Sequence, residues 1–307
     1  MDKKDIFYNM IGIERFIYQN ADLFEQNRRS VNEYFENLCS ANNKKEPLEF
    51  IDGILRERST GKKIEIKDNV IDFTEKDQLS KEWARINKNF INFHKALTAQ
   101  SIFTSTPIIN YINQKTELGL LKNSKIIDVG GGTGQSLCSF FHFPETLEYY
   151  LVDPNLRLIH DQFLRIYPKL SYLKIAHILA YAEHLPFKNN FADLVISLSA
   201  IDHLNDYKEF IKESYRVLKP SGKVFIYSHL SNAGNKNHNN KRKILSFSFF
   251  EQVLRFLYNR KNSIKNANYT YFFKDTHEIE SALSETGFSV LNVETFKGYF
   301  YIIAQKQ

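Results

Sequence analysis

Cysteine is nearly absent: Cys39 and Cys138 are the two in 307 residues. They are too few and too far apart for a disulfide framework or a ribbon-type zinc site. Low cysteine usage also fits a reducing compartment. No apolar run approaches the roughly 18 residues that a membrane-spanning helix needs. The start, Met1-Asp2-Lys3-Lys4-Asp5, leads into a mixed amphipathic stretch and lacks a signal-peptide core. A cytoplasmic location is therefore expected. Large charge excess is missing too, since 41 basic side chains face 35 acidic ones. The excess that exists is local. Between Leu230 and Asn266 there are eight Lys or Arg against the single acid Glu251, so an anionic partner is to be sought there.

A third glycine is missing where one cofactor class would require it. The run Lys125-Ile126-Ile127-Asp128-Val129-Gly130-Gly131-Gly132-Thr133-Gly134 reads as a buried strand ending in a glycine-rich turn, with a helix just beyond. Glycines there let the backbone turn tightly and approach a ligand that a Cβ would block. The loop amides then face whatever sits at the helix N-terminus. A dinucleotide fingerprint begun at Gly130 needs glycine where the chain has Gln135, and one begun at Gly132 needs it at Leu137. The dehydrogenase reading fails on those residues. Asp153 closes the next apparent strand, Tyr149-Tyr150-Leu151-Val152, at the distance where such folds place an acid on ribose hydroxyls.

From residue 125 onward strands and helices alternate. Strands are expected at 125–129, 149–152, near 172–175, at 193–198 and at 223–228, with helices from Gln135, at 155–166 and at 206–218. That pattern predicts a parallel sheet covered by helices on both faces. Before it, residues 5–38 carry apolar side chains at helical spacing, 48–73 alternate like short strands, and 77–118 turn helical again, broken at Pro107. Two units follow: an N-terminal helical and small β-rich region over 1–99, expected to cover the site, and a larger α/β domain over 100–307.

Several motifs beyond the glycine loop fall in one order. Ala182-Glu183-His184-Leu185-Pro186-Phe187 precedes Phe191-Ala192-Asp193-Leu194-Val195-Ile196-Ser197. Then come Arg216-Val217-Leu218-Lys219-Pro220-Ser221-Gly222, Glu285-Thr286-Gly287-Phe288 and a closing strand from Gly298. With the loop they resemble the class I S-adenosylmethionine-dependent methyltransferases, in particular the small-molecule branch that includes quinone C-methyltransferases. The resemblance covers about residues 100–307. It implies a Rossmann-like seven-stranded sheet, S-adenosylmethionine as cofactor, no metal, and methyl transfer to an oxygen, nitrogen or carbon of a small molecule.

By the same resemblance Asp128 and the backbone of Gly130, Gly131, Gly132 and Gly134 would hold the methionine portion, and Asp153, followed by Pro154, the ribose. Tyr181, Ala182 and Glu183 would border the adenine, and Ser197 would close the site behind the fourth strand. The family has an aspartate where this chain has Tyr181, so the adenine amino contact is altered or lost. His203, on the lip after that strand, is the candidate general base, with packing under the cofactor as its bland alternative. Asp202 orients His203 or caps the next helix, the cap being favoured. His229 follows the fifth strand, where substrate-facing residues also occur, and His184 reads as a rim residue.

The segment at 61–73 is also similar to a small zinc-ribbon-like module fused ahead of some bacterial methyltransferases, here without the metal cysteines. A metal-free scaffold and an unrelated cap both remain open. A basic, aromatic insertion over 229–272 carries Ile244, Phe247, Phe250, Val253, Leu254 and Leu257 as an apolar stripe. It reads as a cap helix, or as a contact for an anionic substrate or anionic membrane through 241–261. No stacking module or long basic stripe supports a nucleic-acid partner. Two further alternatives stand beside the enzyme on a small molecule: a catalytically silent scaffold binding a protein, and a methyltransferase acting on a lipid-like, membrane-associated acceptor.

Overall fold

The computed structural model describes residues 31, 34–40, 46–67, 70–74, 124–132, 148–154, 174–230, 271, 273–296 and 298–307. The expected helices at 5–38 (apart from its last residues), 77–118, 135 onward and 155–166, the insertion segment 231–270, Cys138 and Gly134 lie outside these residues.

Among the described residues eleven strands form one sheet. Four belong to the N-terminal part of the chain: β1 (Leu48–Ile51), β2 (Ile54–Glu57), β3 (Lys63–Lys67) and β4 (Val70–Asp72). Seven follow: β5 (Lys125–Val129), β6 (Glu148–Val152), β7 (Lys174–Leu179), β8 (Ala192–Leu198), β9 (Leu218–His229), β10 (Phe288–Phe296) and β11 (Tyr299–Lys306). Their order is β1-β2-β3-β4-β7-β6-β5-β8-β9-β11-β10. The last seven make the Rossmann-like arrangement expected from the sequence, parallel from β7 to β9 and closed by the antiparallel β11 and β10. Strands buried on both faces read as continuous apolar runs, and Ile126, Ile127, Tyr149, Tyr150, Leu151, Leu194, Val195 and Ile196 are all buried.

The expectation of seven strands needs correction. β4 pairs in parallel with β7, Ile71 opposite Ile178 and Asp72 opposite Leu179, so the small β-rich part extends the main sheet. The segment before it is stitched to the same body. Leu38 bridges to Phe187, and the Cys39 amide donates to the Pro186 carbonyl at 3.1 Å. Tyr34 meets the edge of Tyr150.

Strand β7 begins and ends later than the expected 172–175. β9 also starts earlier than expected: Leu218 pairs with Ala192, residues 219–222 bulge out, and pairing resumes at Lys223 opposite Leu194.

Helix α1 (Tyr207–Val217) lies within a residue of expectation at each end. Its buried face is Tyr207, Phe210, Ile211, Ser214 and Val217, at helical spacing. The cap is Asp206, which accepts from the amides of Lys208 at 2.9 Å and Glu209 at 3.2 Å. Asp202 is therefore not the cap; it sits four residues too early, in the 3₁₀ turn Ile201–His203. Helix α2 (His277–Thr286) ends on Gly287 at φ 105°, in the left-handed region that glycine favours.

One polar node fastens α1 to the rim of the sheet. Buried Glu213 accepts from the Leu185 amide at 3.0 Å. Arg216 donates to Glu213, to the Leu185 carbonyl at 2.8 Å and to the Phe187 carbonyl at 2.6 Å. Removing one partner of such a buried pair strands the other charge. Glu213→Ala is expected to cost about 3 kcal/mol, read as a lower urea midpoint with an unchanged slope; a loss below about 0.5 kcal/mol would place the pair among weak surface contacts.

Candidate active site

Where β5 has β6 on one side and β8 on the other, the crossovers run in opposite directions and leave a crevice at the strands' carboxyl ends. The chain fills it with the glycine loop. The Gly130 amide donates to the Val152 carbonyl at 2.8 Å, which folds the loop back over β6. Gly130 and Gly132 have φ of 69° and 52°. A Cβ on Gly130 would overlap the Ala200 methyl, and one on Gly131 would lie 2.7 Å from Asp128 Oδ2 and 2.9 Å from Leu151 Cδ1. At Gly132 the nearest atom among the described residues is a backbone oxygen 4.0 Å away.

Two acids flank the loop. Asp128 is buried beneath it, and its Oδ2 accepts from the Tyr149 hydroxyl at 2.7 Å. Asp153 lies at the end of β6, and its Oδ2 accepts from the Gly132 amide at 3.0 Å. Pro154 follows, half-buried. The Tyr149 contact was not anticipated; in Tyr149-Tyr150-Leu151-Val152 the ring reads as one more apolar strand residue.

Beyond β7 the chain turns through Tyr181 and the 3₁₀ turn Ala182–His184. The Tyr181 hydroxyl oxygen is buried and has no hydrogen-bond partner among the described residues. Burial, then the charges of Glu183 and Asp72, hold that hydroxyl protonated above the usual tyrosine range. Asp72 comes from β4, so the added strands bring an acid to this rim. Ala182 is buried. Glu183, also buried, accepts at Oε1 from the amides of Asn205 at 2.8 Å and Asp206 at 3.0 Å, tying this turn to the β8–α1 loop. His184 is exposed.

On the other side of the loop, Ser197 is buried within β8, and its hydroxyl has no partner among the described residues. The next turn carries Asp202 and His203. Asp202 is buried, with Oδ2 3.3 Å from Nδ1 of His229 and Oδ1 4.0 Å from Nε2 of His203. The structure thus joins His229, from the end of β9, to the pair expected from the sequence.

Residues 127–226 match the family described as methyltransferase domain. The match covers about a third of the chain. Within it the chain is similar to the ubiquinone/menaquinone biosynthesis C-methyltransferase UbiE of Haemophilus ducreyi, 31% identical over 109 residues, which cover 35% of this chain and 42% of that protein. It is also similar to the ubiquinone biosynthesis O-methyltransferase of Pelagibacter ubique, 28% identical over 152 residues, covering 48% of this chain and 60% of the relative. The chain spans about half the length of these curated relatives. Among solved structures, an S-adenosylmethionine-dependent methyltransferase from Aquifex aeolicus overlaps 65% of this chain and 89% of its own, at 18% identity and a TM-score of 0.46.

The cofactor of a methyltransferase domain of this class is S-adenosylmethionine, and the residues present fit it. The loop brings its backbone to the Asp153 carboxylate without intervening side chains, and the buried Tyr181 hydroxyl has no hydrogen-bond partner among the described residues. Among the described residues no group of three His, Cys, Asp or Glu could hold a metal ion, and no helix is long and apolar enough to cross a membrane.

Asp202 gives the site a pH signature. Burial pushes its carboxyl up, but the His229 hydrogen bond, the two imidazoles and the Ser228 hydroxyl together outweigh that, leaving it below the usual aspartate range. A depressed carboxyl contributes stability above its unfolded value of about 3.9 and loses it as pH falls through the folded one. The stability gap between the native protein and Asp202→Asn should therefore be full at about pH 5 and shrink by about pH 3, as followed by urea unfolding. A gap that widens on acidification contradicts the assignment.

Proposed function

We propose that the protein transfers a methyl group from S-adenosylmethionine to a small-molecule acceptor. The observation that carries this reading is the glycine loop, too close to Asp128 and Ala200 for side chains at Gly131 and Gly130, setting the Gly132 amide on the Asp153 carboxylate within a stretch that matches a methyltransferase domain. The relatives named for C- and O-methylation in quinone biosynthesis support an acceptor of that general size.

In this reading Asp128, Gly130, Gly131, Gly132 and Gly134 hold the methionine end. Asp153 takes the ribose hydroxyls with Pro154 shaping the turn. Tyr181, Ala182 and Glu183 border the base, with the Tyr181 hydroxyl replacing the aspartate usual at its position. Ser197 stands behind the loop. The bound sulfonium supplies an activated methyl group with a good leaving group. The chain's own work is then largely positional: holding donor and acceptor in line removes several kcal/mol of the barrier. His203 and His229, both facing Asp202, are the candidate general bases on the acceptor side.

Hydrogen bonds to a charged partner are worth about 1.5–3 kcal/mol each. Calorimetric titration with S-adenosylhomocysteine should thus show binding to the native protein, weakened roughly 10- to 100-fold in Asp153→Ala. A folded native protein that binds neither S-adenosylhomocysteine nor S-adenosylmethionine would overturn this reading in favour of a silent scaffold.

A further inference from the structure

The carboxyl ends of β8 and β9 carry a second arrangement that the cofactor does not explain. A buried carboxylate is costly unless it is paired, and Asp202 is paired outward, toward two imidazoles at the edge of the site. The turn that carries it is pinned by backbone bonds: Ser199 N to the Tyr227 carbonyl at 2.7 Å, His203 N to the Ala200 carbonyl at 2.9 Å, and Tyr271 N to the Asp202 carbonyl at 3.1 Å. Its position against the glycine loop is set by the contact between Ala200 and Gly130.

His229 is held more closely than His203. Its Nδ1 is 3.3 Å from Asp202 Oδ2, and the Ser228 hydroxyl lies 3.5 Å from the same nitrogen. Its ring stacks on Tyr299, centroids 5.2 Å apart and planes inclined by 28°. Tyr299 in turn stacks on Tyr227 at 5.5 Å. One edge and one face of the imidazole are therefore fixed, while the side chain keeps 38% of its surface exposed against 4% for Asp202. A carboxylate on Nδ1 selects the tautomer with the proton there and leaves Nε2 as the acceptor.

We propose that Asp202 and His229 form a carboxylate–imidazole dyad whose His229 Nε2 accepts the proton of a phenolic hydroxyl, making the protein an O-methyltransferase of hydroxylated aromatic compounds. The proposal rests on the cofactor reading above. A lone pair of the phenol oxygen forms the new C–O bond as the C–S bond of the sulfonium breaks, and the electron pair of that bond goes to sulfur. The hydroxyl proton goes to Nε2, and the resulting imidazolium faces the Asp202 carboxylate. A phenol ionises near pH 10, within reach of an imidazole acting in concert with transfer; an aliphatic alcohol holds its proton far more tightly. The Tyr299 ring stacked on His229, with Tyr227 stacked beyond it, gives the dyad an aromatic border that suits a flat aromatic acceptor.

Two measurements on the full chain test this. Long-range ¹H–¹⁵N spectra of protein labelled at histidine, with His229 assigned from His229→Gln, should show the Nδ1–H tautomer in the native protein and its loss in Asp202→Asn. With methyl-labelled S-adenosylmethionine and catechol or 4-hydroxybenzoate as probes, label should appear on oxygen. Transfer should fall about 100-fold or more in His229→Gln and drop clearly in Asp202→Asn, while S-adenosylhomocysteine binding persists in both. The proposal is overturned by an Nε2–H tautomer, by label on carbon, by no transfer to either phenol despite S-adenosylhomocysteine binding, or by His203→Gln abolishing transfer while His229→Gln retains it. Loss of S-adenosylhomocysteine binding in the native protein instead removes the cofactor reading beneath it.

Discussion

The Asp128 carboxylate, buried between the glycine loop and the Tyr149 hydroxyl, fixes the geometry on which the rest of the site depends. A carboxyl group buried in an apolar sheet is tolerated only with hydrogen-bond partners, and Tyr149 supplies one from the neighbouring strand. The carboxylate then acts as a spacer. Gly131 rides so close above it that any side chain would collide with Asp128 and Leu151. The loop is pressed flat on β5 and β6 as a result, and Gly132 reaches the position where its amide meets Asp153. One tyrosine hydroxyl, one carboxylate and the absence of a Cβ set the height of the loop.

A second constraint is the edge of the sheet. A parallel strand left at an edge presents unpaired amides and carbonyls, and β7 would be that edge if the sheet stopped at seven strands. β4 covers it in parallel, and β3, β2 and β1 continue outward antiparallel. The addition is anchored by its own polar pins. Buried Glu57 accepts from the Ser40 and Thr60 hydroxyls, each at 2.7 Å, where a metal-binding module would rely on a metal. Because β4 ends beside Leu179, the extension also delivers Asp72 to the neighbourhood of Tyr181. The N-terminal strands thus serve both the integrity of the sheet and the rim of the site.

What could be read from the sequence was local, and what could not was a matter of distant pairing. The strand at 125–129 stands where its apolar run and following glycines put it, and α1 follows its apolar periodicity to within a residue. The β7 boundaries were missed because the polar His177 interrupts the apolar run that the strand needs. Asp202 and Asp206 precede the same apolar face four residues apart, and only the backbone turn between them decides which reaches the free amides of α1. The β4–β7 pairing joins residues more than a hundred positions apart and leaves no periodic trace. The same holds for the meeting of His229 with Asp202: each had been noted alone, and the sheet order alone brings them together.

That sheet order also divides the labour of the site. β5, β6 and β7 end in the glycine loop, Asp153 and Tyr181, groups suited to holding a cofactor; β8 and β9 end in Asp202, His203 and His229, groups suited to handling a proton. The seam between the halves runs along the β5–β8 pairing, where Ala200 lies against Gly130 with no room for another methyl. In-line transfer tolerates little error in the separation of donor and acceptor, since a displacement near 1 Å costs about a hundredfold. A van der Waals contact between two small residues is stiff toward approach. Both halves are also rooted in strands that share backbone hydrogen bonds. The distance between the glycine loop and the Asp202–His229 pair is therefore set by the sheet itself.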